Sequence, residues 1–167
     1  MGSMEPTKLS FWYDKCNAEL LLYGRSLLGV HGAEDVVQEA FLSLMRQHKE
    51  PENIRAWLFR TVRNAAISQM RRRHCRQKHQ KLLSAVQKSW FESRPDDLID
   101  AQTAQTVLAS LPQLQREVVI LRIWGQMSLK EIAQITGAPI STVHSRYQGG
   151  LDARKKEMQF KCQTKKD

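Results

Sequence analysis

Apolar residues recur every three or four positions along most of this chain, which is the spacing of helices with one buried face. Leu9, Trp12, Tyr13, Cys16, Leu20, Tyr23 and Leu27 predict one long helix over residues 8–28, closed by Gly29 and Gly32. A second helix is expected from Ala33 to Arg46, with Val37, Ala40, Phe41 and Leu44 turned inward. Its other face carries Asp35, Gln38, Glu39, Leu42 and Arg46, so an apolar leucine stands among acidic and amide groups. That face is either a solvated surface with one stray leucine or a surface that binds a partner. Residues 47–53, with Pro51, read as a loop. A third helix follows over 54–76, with Ile54, Trp57, Leu58, Val62 and Ala65 on its inner stripe and Arg60, Arg63, Asn64 and Arg71 along one outer flank. Trp57 shares its face with apolar neighbours and is expected in the core.

The periodicity weakens over residues 82–100, where Ser93-Arg-Pro-Asp-Asp97 adds proline and acid, so this stretch reads as a flexible linker. Helical spacing returns with Val107, Leu108 and Leu111, then Val118, Val119 and Leu121. The expected organisation is all-α, with one small helical domain over 5–81, a linker over 82–100 and a second small helical domain over 101–160.

The second domain contains the most specific local pattern, from Ser128 to Gly150. Ser128 can cap a helix while Glu131 reaches back to it, a capping box. Ile132, Ala133 and Ile135 supply an apolar face, and Ala133 is small enough for a second helix to cross closely. Gly137 can take a left-handed conformation without steric cost, and Pro139 prevents the first helix from continuing. Ser141 is placed to cap the second helix, in which Val143, Tyr147 and Leu151 face inward. Thr142, His144, Ser145, Arg146 and Gln148 then turn outward. Two short helices joined this way form a helix-turn-helix, whose second helix reads a DNA groove; an ordinary core hairpin is the bland alternative.

Charge agrees with nucleic acid as a partner. Twenty-six Lys and Arg against seventeen Asp and Glu give a formal charge of +9, which favours a polyanion. The run Arg71-Arg-Arg-His-Cys-Arg76, followed by Lys78, His79 and Lys81, is either a solvated helix end favoured by the macrodipole or a phosphate-binding surface. Three widely spaced cysteines, Cys16, Cys75 and Cys162, indicate neither a disulfide framework nor a metal knuckle. The five histidines form no helical pair around a carboxylate, so no metal-hydrolase signature appears, and arginines crowd the partial set His74, Cys75 and His79. No apolar run approaches the roughly 20 residues of a membrane span, and no signal sequence precedes the first helix. A soluble cytoplasmic protein without cofactor, metal or catalytic role is expected.

Taken together, four segments resemble the extracytoplasmic-function sigma factors, the small two-domain members of the sigma-70 family of bacterial transcription initiation factors. Ala33-Glu-Asp-Val-Val-Gln-Glu-Ala-Phe-Leu-Ser-Leu-Met-Arg46 resembles the polymerase-binding helix of region two. Ile54-Arg-Ala-Trp-Leu-Phe-Arg-Thr-Val-Arg-Asn-Ala-Ala-Ile67 is similar to the promoter-melting helix of the same region. Leu111-Pro-Gln-Leu-Gln-Arg-Glu-Val-Val-Ile-Leu121 and the helix-turn-helix resemble region four.

The resemblance implies roles for residues whose chemistry alone leaves them open. Asp35, Gln38, Glu39, Leu42 and Met45 would dock on the largest subunit of core RNA polymerase. The 47–53 loop, including Asn53, would help capture an unstacked base of the minus-ten element, with Arg60, Arg63, Asn64, Arg71 and Arg72 along the path of the displaced strand. Ser141, Thr142, His144, Ser145, Arg146 and Gln148 would meet the minus-thirty-five element in the major groove. A separate anti-sigma protein is expected as inhibitor, and the free chain is expected to be monomeric. Two positions depart from the family pattern. Ser68 stands where an Asp is frequent, and Gln148-Gly149-Gly150 replaces a more basic helix end, which predicts a shorter or less rigid recognition helix. The competing reading is a conventional helix-turn-helix regulator that binds palindromic sites as a dimer.

Overall fold

Proline at its first positions starts α1, Pro6–Leu28, where a missing N–H costs nothing. The computed structural model describes residues 5–79 and 108–163, with side chains over 5–29, 32–74 and 108–153. The chain divides into two compact units, Met1–Phe91 and Glu92–Asp167, and every regular element among the described residues is α-helical. The expected linker at 82–100 lies outside the described residues.

In the first unit α1 packs with α2, Val30–Met45, and α3, Ile54–His79, each helix touching the other two. Cys16, Leu20 and Tyr23 of α1 meet Val37, Ala40 and Leu44 of α2 and Leu58, Phe59 and Val62 of α3 in a buried core. Arg55 ties the start of α3 to α1: its guanidinium lies 3.7 Å from Glu19 and donates to the Cys16 sulfur at 3.9 Å. Burial pushes the Cys16 thiol up from its ordinary pKa, opposed by the Arg55 charge.

Two details of this unit differ from the helical spacing. Gly29 alone breaks α1 from α2: at φ 76° and ψ −177° it occupies a region that side chains avoid, and α2 begins at Val30 rather than Ala33. Gly32 therefore does not close α1 but sits inside α2 against α3, where an added Cβ would lie 3.1 Å from Gln69 Oε1 and 3.2 Å from an Arg73 guanidinium nitrogen. In α3 the buried stripe is Ile54, Leu58, Phe59, Val62 and Ala66, whereas Trp57 and Ala65 are half-buried. The inner face is rotated towards Phe59 because its ring packs on Tyr23 of α1, with centroids 5.5 Å apart.

The second unit contains α4, Gln113–Ile123, α5, Leu129–Thr136, and α6, Ile140–Gln163. Val118, Ile120 and Leu121 of α4 pack with Ile132 and Ile135 of α5 and Val143 of α6. Arg116 satisfies the end of the preceding helical turn by donating to the carbonyls of Ala109 and Leu111, both at 2.9 Å. Its burial lowers the guanidinium pKa from the ordinary value. At the start of α5 the capping box is complete. Glu131 N–H donates to Ser128 Oγ at 3.2 Å, and Ser128 N–H donates to Glu131 Oε2 at 2.8 Å. Ser128→Ala should therefore cost about 1 kcal/mol, lowering the melting temperature by about 4–8 °C for a unit of this size. Thermal denaturation followed by circular dichroism checks this, and an unchanged midpoint would show that the cap does not limit stability.

Gly137 takes φ 69° and ψ 18°, ending α5 with a left-handed residue whose N–H donates to Ala133. The second helix begins two residues earlier than expected. Pro139 carbonyl accepts the first helical bond, from Val143 N–H at 3.0 Å, so Pro139 rather than Ser141 occupies the cap position. Nor does α6 stop at the glycine pair, since it runs through Gly149 and Gly150 to Gln163.

Candidate functional site

Three helical surfaces collect the side chains of interest, two on the first unit and one on the second. On α2 the spacing of three and four residues brings Asp35, Gln38, Glu39, Leu42 and Met45 onto one exposed stripe, opposite the buried Val37, Ala40 and Leu44. Leu42 is 45% and Met45 40% exposed, an unusual allowance for large apolar side chains on a helix whose inner face is fully packed. Arg46 lies 3.8 Å from Glu39 across two turns, a surface pair that restrains Glu39 but adds little stability.

Beside this stripe lies a groove of about 460 Å³ lined by Leu9, Tyr13, Phe41 and Met45, with Pro6 at its edge. Helical spacing assigns Leu9 and Tyr13 to the core, yet Tyr13 is exposed and leans on Phe41 with ring centroids 5.1 Å apart. The successive aromatic residues Phe11, Trp12 and Tyr13 are the sequence signal for an apolar surface here, because three consecutive positions cannot all face one core.

On α3, Arg60, Asn64, Ser68, Arg71 and Arg72 are exposed along the face opposite the core, and Arg63 is half-buried at its border. The stripe carries positive charge and one carboxamide, with no acidic group among these positions. Asn53, exposed at the end of the loop, also has a role within the fold. Its Oδ1 accepts from Ala56 N–H at 2.9 Å, so it caps α3 and fixes where the 46–53 loop turns into the helix. The side chains of residues 75–79, including Cys75 and His79, lie outside the described residues. Among the described residues no group of His, Cys, Asp and Glu is arranged to hold a metal ion. Nor is any described helix long and apolar enough to cross a membrane.

On α6 the outward stripe is Ser141, His144, Ser145 and Gln148, all exposed at helical spacing. Thr142 and Arg146 are half-buried rather than fully outward, because Val143 and Gly150 define the buried line and these two border it. Ser145 Oγ donates to the Ser141 carbonyl at 3.0 Å, which holds the hydroxyl against the helix.

Family models of sigma-70 region 2 and sigma-70 region 4 match residues 18–75 and 101–153, spanning the helices that carry these surfaces. The chain belongs to the sigma-70 family. Within it, the protein is a sigma factor of the extracytoplasmic-function type, a transcription initiation factor. It is 26% identical over 148 residues to the ECF RNA polymerase sigma factor SigW of Bacillus subtilis, covering 80% of this chain and 79% of that protein. It is 28% identical to the sigma factor SigV of the same organism, over 68% of each chain. To the ECF sigma factor EcfG of Rhodopseudomonas palustris it is 30% identical, over 68% of this chain and 64% of the relative. Among solved structures, its fold is similar to that of the sigma factor RpoE of Bartonella quintana in complex with the anti-sigma factor NepR. The TM-score is 0.74 at 24% identity, over 89% of this chain and 96% of that one. It is also similar to CnrH in complex with the cytosolic domain of CnrY, with a TM-score of 0.64 at 18% identity, over 93% and 90% of the two chains.

Proposed function

We propose that this sigma factor divides initiation among its three exposed stripes: α2 docks on core RNA polymerase, α3 follows the opened minus-ten element, and α6 reads the minus-thirty-five element. Each stripe suits its partner chemically. The mixed face of α2 offers Leu42 and Met45 as apolar anchors continuing a polar stripe of Asp35, Gln38 and Glu39, a mixture of apolar anchor and polar rim found in protein interfaces. The α3 stripe offers arginines for phosphates and Asn64 for a base edge. On α6, His144, Ser145 and Gln148 are groups that hydrogen-bond base edges, while the bordering Arg146 can reach a phosphate or guanine. The observation that carries this reading is that each helix has a fully packed inner face and a polar or mixed outer stripe within the matched regions.

The protein works by binding and is not an enzyme; it acts in the bacterial cytoplasm as a monomer before it joins polymerase. A separate anti-sigma protein holds it inactive by covering the α2 face or the second unit. Support comes from the similar folds of RpoE and CnrH, each of them captured with such a partner.

Transcription from a library of genomic fragments, with bacterial core polymerase in the presence and absence of the protein, tests the reading. Discrete new start sites that require the protein are expected. Absence of such starts, together with dimeric binding to palindromic DNA by the isolated protein, would replace this reading with that of a conventional helix-turn-helix regulator.

A further inference from the structure

The glycine pair of α6 faces α4. Gly150 is buried, and an ideal Cβ built on it would stand 2.6 Å from Val119 Cγ2, with Leu111 Cδ1 at 3.8 Å and the Gln115 carbonyl at 3.9 Å behind it. A Cβ on Gly149 would meet Gln115 Nε2 at 3.0 Å. These are not equivalent obstacles. The Gln115 carboxamide is the end of a long side chain and can swing aside, whereas Val119 is buried and β-branched, so its methyl has no alternative place. Any side chain at position 150 therefore moves the helix rather than the neighbour.

We infer that Gly150 is a positioning residue for promoter recognition: by lacking a side chain, it lets α6 settle on Val119 and so sets the tilt at which the outward stripe meets DNA. This inference rests on the assignment of α6 as the minus-thirty-five reader. The helix is held at two points on its inner side, Val143 and Gly150, two turns or about 10.5 Å apart along the axis. Restoring ordinary carbon–carbon contact at Val119 requires about 1 Å of outward movement at position 150. With Val143 fixed in the core, that movement tilts α6 by about 5°. The displacement grows from His144 towards Gln148, so Gln148 moves by more than the roughly 0.5 Å that a binding group tolerates. The same glycine that weakens the helix by propensity is thus retained by packing.

The test uses the full-length protein with core polymerase on promoters recovered by the transcription experiment, each with its upstream element intact or scrambled. The readout is the ratio of open-complex formation on the two templates. Wild-type protein should discriminate between them; if it does not, the assignment of α6 fails before Gly150 is in question. Gly150→Ala should lower the ratio about fivefold or more, the value of one lost base contact, with core polymerase affinity unchanged. The double variant Val119→Ala, Gly150→Ala removes the Val119 methyl that the new Cβ would meet, together with its twin, and should restore the ratio. A single variant that discriminates as well as wild type overturns the inference, as does a double variant that folds yet stays impaired. Should Gly150→Ala fail to fold, recovery of both folding and discrimination in the double variant supports the inference, and failure to recover discrimination overturns it.

Discussion

Phe59→Ala should destabilise the first unit by about 3–5 kcal/mol, the largest single loss expected anywhere in the described structure. The ring is fully buried, packs on Tyr23 at 5.5 Å with a 47° interplanar angle, and lies under the Arg55 guanidinium at 5.9 Å. Truncation removes the apolar contact, the ring pair and the cation–π contact together, and leaves a cavity between α1 and α3 that their backbones cannot fully close. Small domains have only about 5–15 kcal/mol in total, so the unit would sit near its unfolding threshold at growth temperature. Chemical denaturation of the full chain checks the prediction: Phe59→Leu should recover part of the loss by refilling the volume. A Phe59→Ala change below about 1 kcal/mol would mean that the Tyr23 and Phe59 rings do not form the centre of this core.

Where the signals are local, the chain's organisation is legible from its residues. The helix-turn-helix is written in short-range chemistry: Ser128 and Glu131 satisfy each other's backbone, Gly137 takes the left-handed turn, and Val143 reaches the core. The outward stripe of α2 is equally legible, because Val37, Ala40 and Leu44 leave little choice about which face remains for Gln38, Glu39 and Leu42.

What escapes the spacing depends on a second helix. In α3, both Trp57 and Phe59 lie beside the common line Ile54, Leu58 and Val62, and no property of α3 alone decides between them. Tyr23, a residue of α1, makes the choice. Gly32 and Gly150 follow the same logic. Read along the chain they weaken helices, but across the interface each removes a Cβ that a neighbouring side chain would meet at 2.6–3.1 Å. Tyr13 shows the opposite case, in which α1 keeps apolar spacing but leaves Tyr13 and Leu9 along an open groove instead of a closed core.

Leu42→Glu should weaken binding to core RNA polymerase by at least about thirtyfold, corresponding to the 2 kcal/mol of an interface hot spot. Leu42 is 45% exposed and stands opposite the packed face of α2, so a glutamate there is solvated in the free protein and leaves the fold intact. In the complex the same carboxylate would be desolvated beside Asp35 and Glu39, whose like charges raise its cost further. The apolar anchor is lost and a repulsive group takes its place. Gln38→Ala with Glu39→Ala should act in the same direction but less strongly, since polar groups at the rim contribute less than a central anchor. Arg146→Ala supplies the reverse pattern, with polymerase affinity retained and preference for the upstream element reduced. Fluorescence titration of full-length variants against core polymerase measures the first effect, and far-ultraviolet circular dichroism verifies the fold. If Leu42→Glu binds polymerase as wild type does, the exposed leucine belongs to some other surface and α2 is not the docking helix.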